Sequence, residues 1–415
     1  MSCPLKAASS NQIAWIGNEG SLSYREINEL ADRWVFTLIG RGVKEGSRVA
    51  FSPHLNPLII ALFFAIWRLG ASACPLHLRL PLEQRKKMVQ RLRPDILILE
   101  DERPDLLRSS FSRVCPALPA VFLMTSGSTA EPKIAVLSYQ NIWTNAETAI
   151  SFLDLRAGDR WLLNLPLFHV GGIGVVMRCV LAQAAMVAAL QEPHITHMSC
   201  VPTQLYRATP VYKTLRCVLL GGAPVHSYPE RLPVIVTYGL TEMGSMVLAQ
   251  RHPTNGYLGF ALSKREIKLA DDGEILVRGE CLFQGYWHDG NIEPPESWFA
   301  TKDRGHFDPV QGFQILGRKD WQFISGGENI QPEEIERYLL EIPGVQEAVV
   351  VPKQDPEFGA RPVAFVSGNL SLERMKKCLL PYLPKYKIPI ALISIDEMPK
   401  NGLKVDRLAL FNRIR

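Results

Sequence analysis

The sequence predicts an α/β protein: a large N-terminal domain of sheets packed with helices, followed by a small α+β domain. Three observations predict this. Through the first half, apolar runs of strand length alternate with helical periodicity, the pattern of largely parallel sheets covered by helices. The chain has 415 residues, 47% of them hydrophobic, enough to bury the cores of at least two domains. Beyond Leu316 the texture changes to short polar and glycine-rich stretches. The expected division is residues 1–317, a hinge at 318–320 and a small domain at 321–415.

Ser23-Tyr24-Arg25-Glu26 is a capping box, and Ile27, Leu30, Ala31, Trp34, Val35 and Leu38 keep helical spacing until Gly40. Val49-Ala50-Phe51 reads as a strand and Pro57 to Leu69 as an almost wholly apolar, buried helix. A helix from Pro81 to Leu92 and a strand at Ile96–Leu99 repeat the pattern. Ala120–Met124 is a further buried strand, and it leads into Thr125-Ser126-Gly127-Ser128-Thr129-Ala130-Glu131-Pro132-Lys133. Ser138 then opens a helical pattern, so this turn reads as a strand-to-helix connection. Hydroxyls, a glycine that lets backbone N–H groups approach, and one lysine suit a polyphosphate. Pro132 before the lysine separates it from the Walker A pattern. Taken alone, such a stretch is more often a solvated turn.

Four loops follow in the middle of the chain. They are Leu165–Gly172 with His169, Gly171 and Gly172; Leu219–Pro224 with Gly221, Gly222 and Ala223; Val236–Glu242 with Tyr238, Thr241 and Glu242; and Trp298–Gly305 with Asp303. Each has a plain structural reading: a core or capping histidine, glycine turns, a packed tyrosine, solvated acids. Arg318-Lys319-Asp320 is short and polar, and Ser325-Gly326-Gly327 precedes an amphipathic helix opened by Pro332 and running through Leu340. Strands at Val345–Val351 and Pro362–Val366, a helix near Leu372–Leu380, and a final loop from Pro399 carrying Lys404 complete the chain.

Composition narrows the function classes. The net charge is +5, and the densest basic run, Arg85-Lys86-Lys87 with Arg91 and Arg93, lacks interleaved aromatics, so no nucleic-acid partner is expected. Eight scattered cysteines without a C-x-x-C pair suit free thiols in a reducing compartment and offer no zinc site. The apolar run Leu58–Trp67 is too short to span a bilayer. A cytoplasmic protein with no membrane span is expected, with a homodimer as one option for its assembly. There is no G-x-S-x-G, which removes the serine-hydrolase reading.

Taken in order, these segments resemble the adenylate-forming enzymes, which include acyl-CoA synthetases and peptide-synthetase adenylation domains. The resemblance runs from Ser23 to Lys404. Within that superfamily LPLFHVGG at Leu165–Gly172, VPTQL at Val201–Leu205, ATKDRG at Ala300–Gly305 and SGGENIQPEEIE at Ser325–Glu336 are most similar to the o-succinylbenzoate–CoA ligases of menaquinone biosynthesis. The resemblance implies ATP, magnesium (Mg2+) and coenzyme A, with a small-molecule carboxylic acid as substrate. A carboxylate attacks the α-phosphorus of ATP, and the coenzyme A thiol then attacks the acyl-adenylate. The first step needs neutralised charge and alignment rather than a protein nucleophile.

By the same resemblance, Thr125, Ser126, Gly127, Ser128, Thr129 and Lys133 hold the β- and γ-phosphates. Gly221, Gly222, Ala223 and Tyr238 form the adenine pocket, Thr241 reaches the α-phosphate, and Glu242 holds the metal. Asp303 accepts the ribose hydroxyls with help from Arg318. His169 lies beside the acyl group. Lys404, on a mobile small domain, serves adenylation and is withdrawn by rotation about Asp320, which brings in Ser325, Gly326 and Gly327 for the pantetheine arm. Arg178 and Arg207 are candidates for the carboxylate that must stay free, or else surface arginines. The alternatives are another aryl- or medium-chain acyl-CoA synthetase, a carrier-charging adenylation enzyme, and a non-catalytic nucleotide-binding homologue. Three departures stand out: Ala130 and Lys302 replace glycines common in the family, and the segment before Lys404 is one residue short.

Overall fold

The computed structural model describes residues 1–8, 10–78, 82–99, 102–125, 133–189, 192–201, 204–205, 213–222, 225, 228–253, 255–401 and 404–414. Two large sheets dominate. Across the eight-stranded sheet run Ser245–Arg251, Val234–Leu240, Cys217–Leu220, His197–Cys200, Arg160–Leu162, Ala185–Val187, Ile13–Gly17 and Gly20–Ser23. Its six inner strands are parallel and its two edge strands antiparallel. The seven-stranded sheet runs Asn291–Glu293, Gly285–His288, Lys133–Ser138, Pro119–Thr125, Ser72–Pro75, Arg48–Phe51 and Ile96–Ile98. It is parallel from Pro119–Thr125 onward and antiparallel before it.

Four helices, Tyr24–Gly40, Pro57–Arg68, Tyr139–Leu153 and Val170–Ala182, share one apolar core with strands of both sheets. This explains the nearly uninterrupted apolar sequence of Pro57–Arg68, where everything from Ile60 on is buried. Its terminal Arg68 is buried but satisfied, donating to Asp32 at 2.8 Å and Asn28 at 2.6 Å. The capping box forms as expected, with Ser23 and Glu26 exchanging side-chain and backbone hydrogen bonds.

A third sheet, Arg265–Leu269, Glu274–Gly279, Phe299–Asp308 and Gly312–Arg318, is antiparallel throughout. This corrects two expectations, the largely parallel architecture and the loop at Trp298–Gly305, most of which is strand. The connections at residues 270–273 and 309–311 are too short for a crossover helix, so the chain can only turn back on itself.

After Arg318 a single 3₁₀ turn, Lys319–Trp321, leads to the remaining elements. The hairpin Phe323–Ser325/Glu328–Ile330, the helices Pro332–Leu340 and Leu372–Leu379, and the sheet of Val345–Asp355, Gly359–Gly368 and Ala391–Ser394 enclose a core of their own. The helix at Pro332–Leu340 has the boundaries expected of it. Among the described residues no helix is long and apolar enough to cross a membrane.

Candidate active site

In the eight-stranded sheet, Cys217–Leu220 and Val234–Leu240 are parallel neighbours whose C-termini open together, where ligands of such sheets gather. Cys217–Leu220 ends in Gly221–Gly222. A Cβ on Gly221 would stand 2.6 Å from Thr237 Cγ2 and 2.8 Å from the Thr237 carbonyl, so only glycine lets the two strand ends approach this closely. Gly222 has φ +79, the left-handed turn glycine favours.

Tyr238, on the second strand end, donates its hydroxyl to Asp303 Oδ2 at 2.6 Å. Asp303 lies directly opposite Arg318 in the antiparallel pair, and Arg318 donates to Asp303 Oδ1 at 3.0 Å and to Asp320 Oδ2 at 3.0 Å. Burial, then the Asp303 charge, raises the Tyr238 phenol well above its ordinary range, so it stays a neutral donor. Burial opposes the Arg318 charge, but Asp303 and Asp320 outweigh it and raise its pKa. The outcome is a carboxylate fixed by two donors beside a flat aromatic ring, suited to accept from a vicinal diol. Lys302, next to Asp303, has φ +63, which explains why glycine suits the position.

Val234–Leu240 continues into the 3₁₀ turn Thr241–Met243, closed by Gly244 at φ +66. Glu242 is pinned twice: its carbonyl accepts from Phe283 N–H at 2.7 Å, and Oε1 accepts from the Tyr286 hydroxyl at 2.7 Å. Lys133 Nζ sits 4.5 Å from the centre of the Tyr286 ring. Glu242 Oε2 has no hydrogen-bond partner among the described residues. No cluster of three protein ligands occurs among them either. One anchored carboxylate with a free oxygen fits Mg2+, which takes most of its ligands from phosphate and water.

Thr125 and Lys133 correct the expected strand-to-helix turn. They are cross-strand partners at the tip of a hairpin, Pro119–Thr125 against Lys133–Ser138. The helix capped by Ser138 begins at the opposite end, beside Pro119, roughly 20 Å away at strand rise. Its N-terminus therefore lies far from Thr125 and Lys133. Ser126, Gly127, Ser128, Thr129 and Ala130 lie outside the described residues, as do Ala223 and Arg207.

His169 occupies the N-cap position of the helix Val170–Ala182 without capping it through its side chain. Its ring centre is 4.6 Å from that of Phe168 and 5.2 Å from that of His77, which itself packs on Phe168 at 4.2 Å. A Cβ on Gly172 would lie 2.3 Å from the Pro166 carbonyl, and one on Gly171 3.2 Å from Leu165. These glycines seat the helix start against Leu165–Pro166.

Arg178, further along that helix, is 1% exposed, which removes its surface reading. It stacks on Trp161 and donates to Asn145 Oδ1 at 3.4 Å. Asn145 in turn donates to the Met243 carbonyl at 2.9 Å, behind the turn that carries Glu242. Burial, then the neighbouring Arg265, pushes Arg178 down to about 10, still a cation at neutral pH. Neither arginine has a carboxylate within ion-pair distance among the described residues, and both Nε atoms are buried without a partner.

Ser325, Gly326 and Gly327 form the turn of the small domain's first hairpin, with φ +58 and +85 at the two glycines. Gly326 N–H donates to Phe358 O at 2.9 Å, and the Ser325 hydroxyl is buried without a partner. Lys404 lies in a short ribbon in which it pairs with Asn401; its side chain is outside the description. An open cleft of about 820 Å³ between the helix Tyr139–Leu153 and residues 257–263 contains none of these residues. It has no charged side chain to hold a polyphosphate.

Sequence reasoning missed two residues, Tyr286 and His77. Gly285-Tyr286-Trp287 reads as an ordinary strand, and only its pairing with Lys133–Ser138 reveals where the hydroxyl goes. His77 carries no local signal at all.

Two family models match the chain: "AMP-binding enzyme" over residues 6–114 and 109–287, and "AMP-binding enzyme C-terminal domain" over residues 334–404. A 2-succinylbenzoate–CoA ligase of Salmonella typhimurium is 34% identical across 95% of this chain and 93% of its own length. The ligase of the same name from Escherichia coli is 32% identical over 95% and 93%. A solved structure of wild-type E. coli MenE with a bound m phenylether-linked analogue of OSB-AMS is 29% identical. It covers 100% of this chain and 99% of that one, with a TM-score of 0.82.

Proposed function

Because the chain belongs to the AMP-binding enzyme family, we propose that it is the ATP-dependent ligase that joins o-succinylbenzoate to coenzyme A. It activates the succinyl carboxylate as an acyl-adenylate and then forms the thioester, releasing pyrophosphate and AMP. The observation that carries this reading is the meeting of Tyr238, Asp303 and Arg318 at the open ends of the parallel strands, one turn from Glu242, in a chain alike to such ligases along its length.

In the first step a carboxylate oxygen bonds to the α-phosphorus as the bond to the bridging pyrophosphate oxygen breaks. In our reading Tyr238 and Gly221–Gly222 hold the adenine, while Asp303 accepts from the ribose hydroxyls in a grip firmed by Arg318. Thr241 faces the α-phosphate. Lys133 balances charge on the departing pyrophosphate, with Thr125 opposite it on the paired strand. Glu242 would hold Mg2+, which supplies charge neutralisation between the phosphates. Lys404 bridges the carboxylate and the α-phosphate. In the second step the sulfur of coenzyme A, its proton passed to solvent, bonds to the acyl carbon as the bond from that carbon to the phosphate oxygen breaks and AMP leaves.

His169, with His77 and Phe168, walls the acyl side. The buried Arg178–Arg265 pair, short of counter-charge, supports a place for the carboxylate that stays free, since a desolvated cation is costly until an anion joins it. The separate apolar core beyond Ile330 supports the division at Arg318–Asp320, with Asp320 as pivot and Ser325–Gly327 at the thiol's entry. Eight free thiols support a reducing, cytoplasmic setting.

ATP–pyrophosphate exchange tests the assignment with three acids: o-succinylbenzoate, benzoate and a medium-chain fatty acid. Exchange with o-succinylbenzoate is expected. Exchange with the fatty acid alone removes the substrate while keeping the family, and exchange with none leaves a nucleotide-binding homologue.

A further inference from the structure

Tyr286 stands between two groups that the catalytic reading uses separately. Its strand, Gly285–His288, pairs antiparallel with Lys133–Ser138, and Tyr286 faces Ala135. Lys133 is two residues from Ala135 and so shares its face, on the diagonal that an aromatic side chain reaches. This register puts the ammonium 4.5 Å from the ring centre, a cation held over the negative face of the π system. The other end of the same ring donates its hydroxyl to Glu242 Oε1 at 2.7 Å. Phe283, three residues earlier, fixes the Glu242 backbone through its N–H and stacks edge-on against Tyr286 at 4.8 Å. Burial and the Glu242 charge both keep the phenol protonated.

We propose that Tyr286 is a positioning residue that links the phosphate-side lysine to the metal-side carboxylate. Its hydroxyl occupies Oε1 of Glu242 and fixes the carboxylate rotamer, leaving Oε2 presented to the cation that arrives with ATP. Its ring holds Lys133 over the site until phosphate oxygens, the stronger partners, take the ammonium. The inference rests on Glu242 being the metal carboxylate. Fixing a ligand in this way is the task of outer-sphere hydrogen bonds, whose loss typically lowers metal affinity by roughly ten- to a hundredfold.

Calorimetric titration of the whole protein with α,β-methylene-ATP, in Mg2+ and in EDTA, reads binding without turnover. In the wild type Mg2+ tightens binding. Tyr286→Phe keeps the ring and its contact with Lys133 and removes only the hydroxyl. It is expected to cut the gain from Mg2+ by about tenfold while leaving affinity in EDTA unchanged. Tyr286→Leu, which also loses the ring, is expected to weaken binding in EDTA as well. Glu242→Gln separates the two claims. If Glu242→Gln keeps the full gain, the metal assignment of Glu242 is wrong. If Glu242→Gln loses the gain and Tyr286→Phe keeps it, Tyr286 only packs and the proposal fails. Equal weakening by Tyr286→Phe with and without Mg2+ overturns it too.

Discussion

In the proposed reading Arg178 is one buried side chain that is costly to the fold and useful to the reaction. It is 1% exposed, shares its surroundings with Arg265, and has no carboxylate among its described neighbours. Replacing buried charge with apolar volume is often neutral or stabilising by about 1–4 kcal/mol. Arg178→Met is therefore expected to melt at or above the wild-type temperature. The same variant should raise KM for o-succinylbenzoate, by about tenfold or more for a lost charged contact, with KM for ATP unchanged. Calorimetric melting and exchange kinetics read the two effects separately. A melting temperature that falls together with activity would make Arg178 a structural residue.

At the scale of elements, the start of the helix Val170–Ala182 would set the acyl wall in the proposed reading, because His169 immediately precedes it. Gly172 has no room for a side chain, since its Cβ would meet the Pro166 backbone carbonyl at 2.3 Å. Gly172→Ala is expected to cost about 1–3 kcal/mol through forced backbone shifts and to raise KM for the acid. Gly174→Ala, on the same helix, meets only the flexible end of Arg178 at 3.4 Å. It is expected to gain up to about 1 kcal/mol of helix propensity, and urea unfolding distinguishes the two. Elements of this kind were legible from sequence where the signal is local. The capping box at Ser23 and the proline opening the helix at Pro332 each declared a boundary found in the structure. Phe299–Asp308 was not legible as a strand, because the polar Thr301, Asp303 and Arg304 break its alternation. The residues proposed for the ribose side were legible as types in an order, whereas their bonds were not. The Asp303–Arg318 and Tyr286–Glu242 contacts depend on strand register between distant segments, which no local pattern encodes.

At the scale of the whole molecule, the two half-reactions need different surroundings for one acyl carbon. Adenylation needs a cation beside the carboxylate and the α-phosphate. Thioester formation needs that space opened to a thiol. A single rigid site cannot do both; the proposed division at Arg318–Asp320, with separate apolar cores on either side of it, would offer a physical solution. Arg318 reaches both sides of the division, with one nitrogen on Asp303 and another on Asp320. Lys319 is held by Asp272 and by Glu274 at 2.7 Å, so its side chain stays with the antiparallel sheet. On the proposed hinge, rotation would be confined to the residues after it, and a turn at Asp320 would break the Arg318–Asp320 bond while leaving Arg318 on Asp303. In that reading the nucleotide's ribose would stay gripped as the small domain turned. Lys404→Ala is accordingly expected to lower adenylate formation by about 10²–10³-fold, the usual loss when one group that stabilises developing charge is removed. Thioester formation from supplied o-succinylbenzoyl-adenylate should be unchanged, because in the proposed reading the lysine has by then been withdrawn. Single-turnover measurements of each half-reaction decide it. Equal loss in both would mean that Lys404 stays in the site throughout, and the small domain would then have no need to turn.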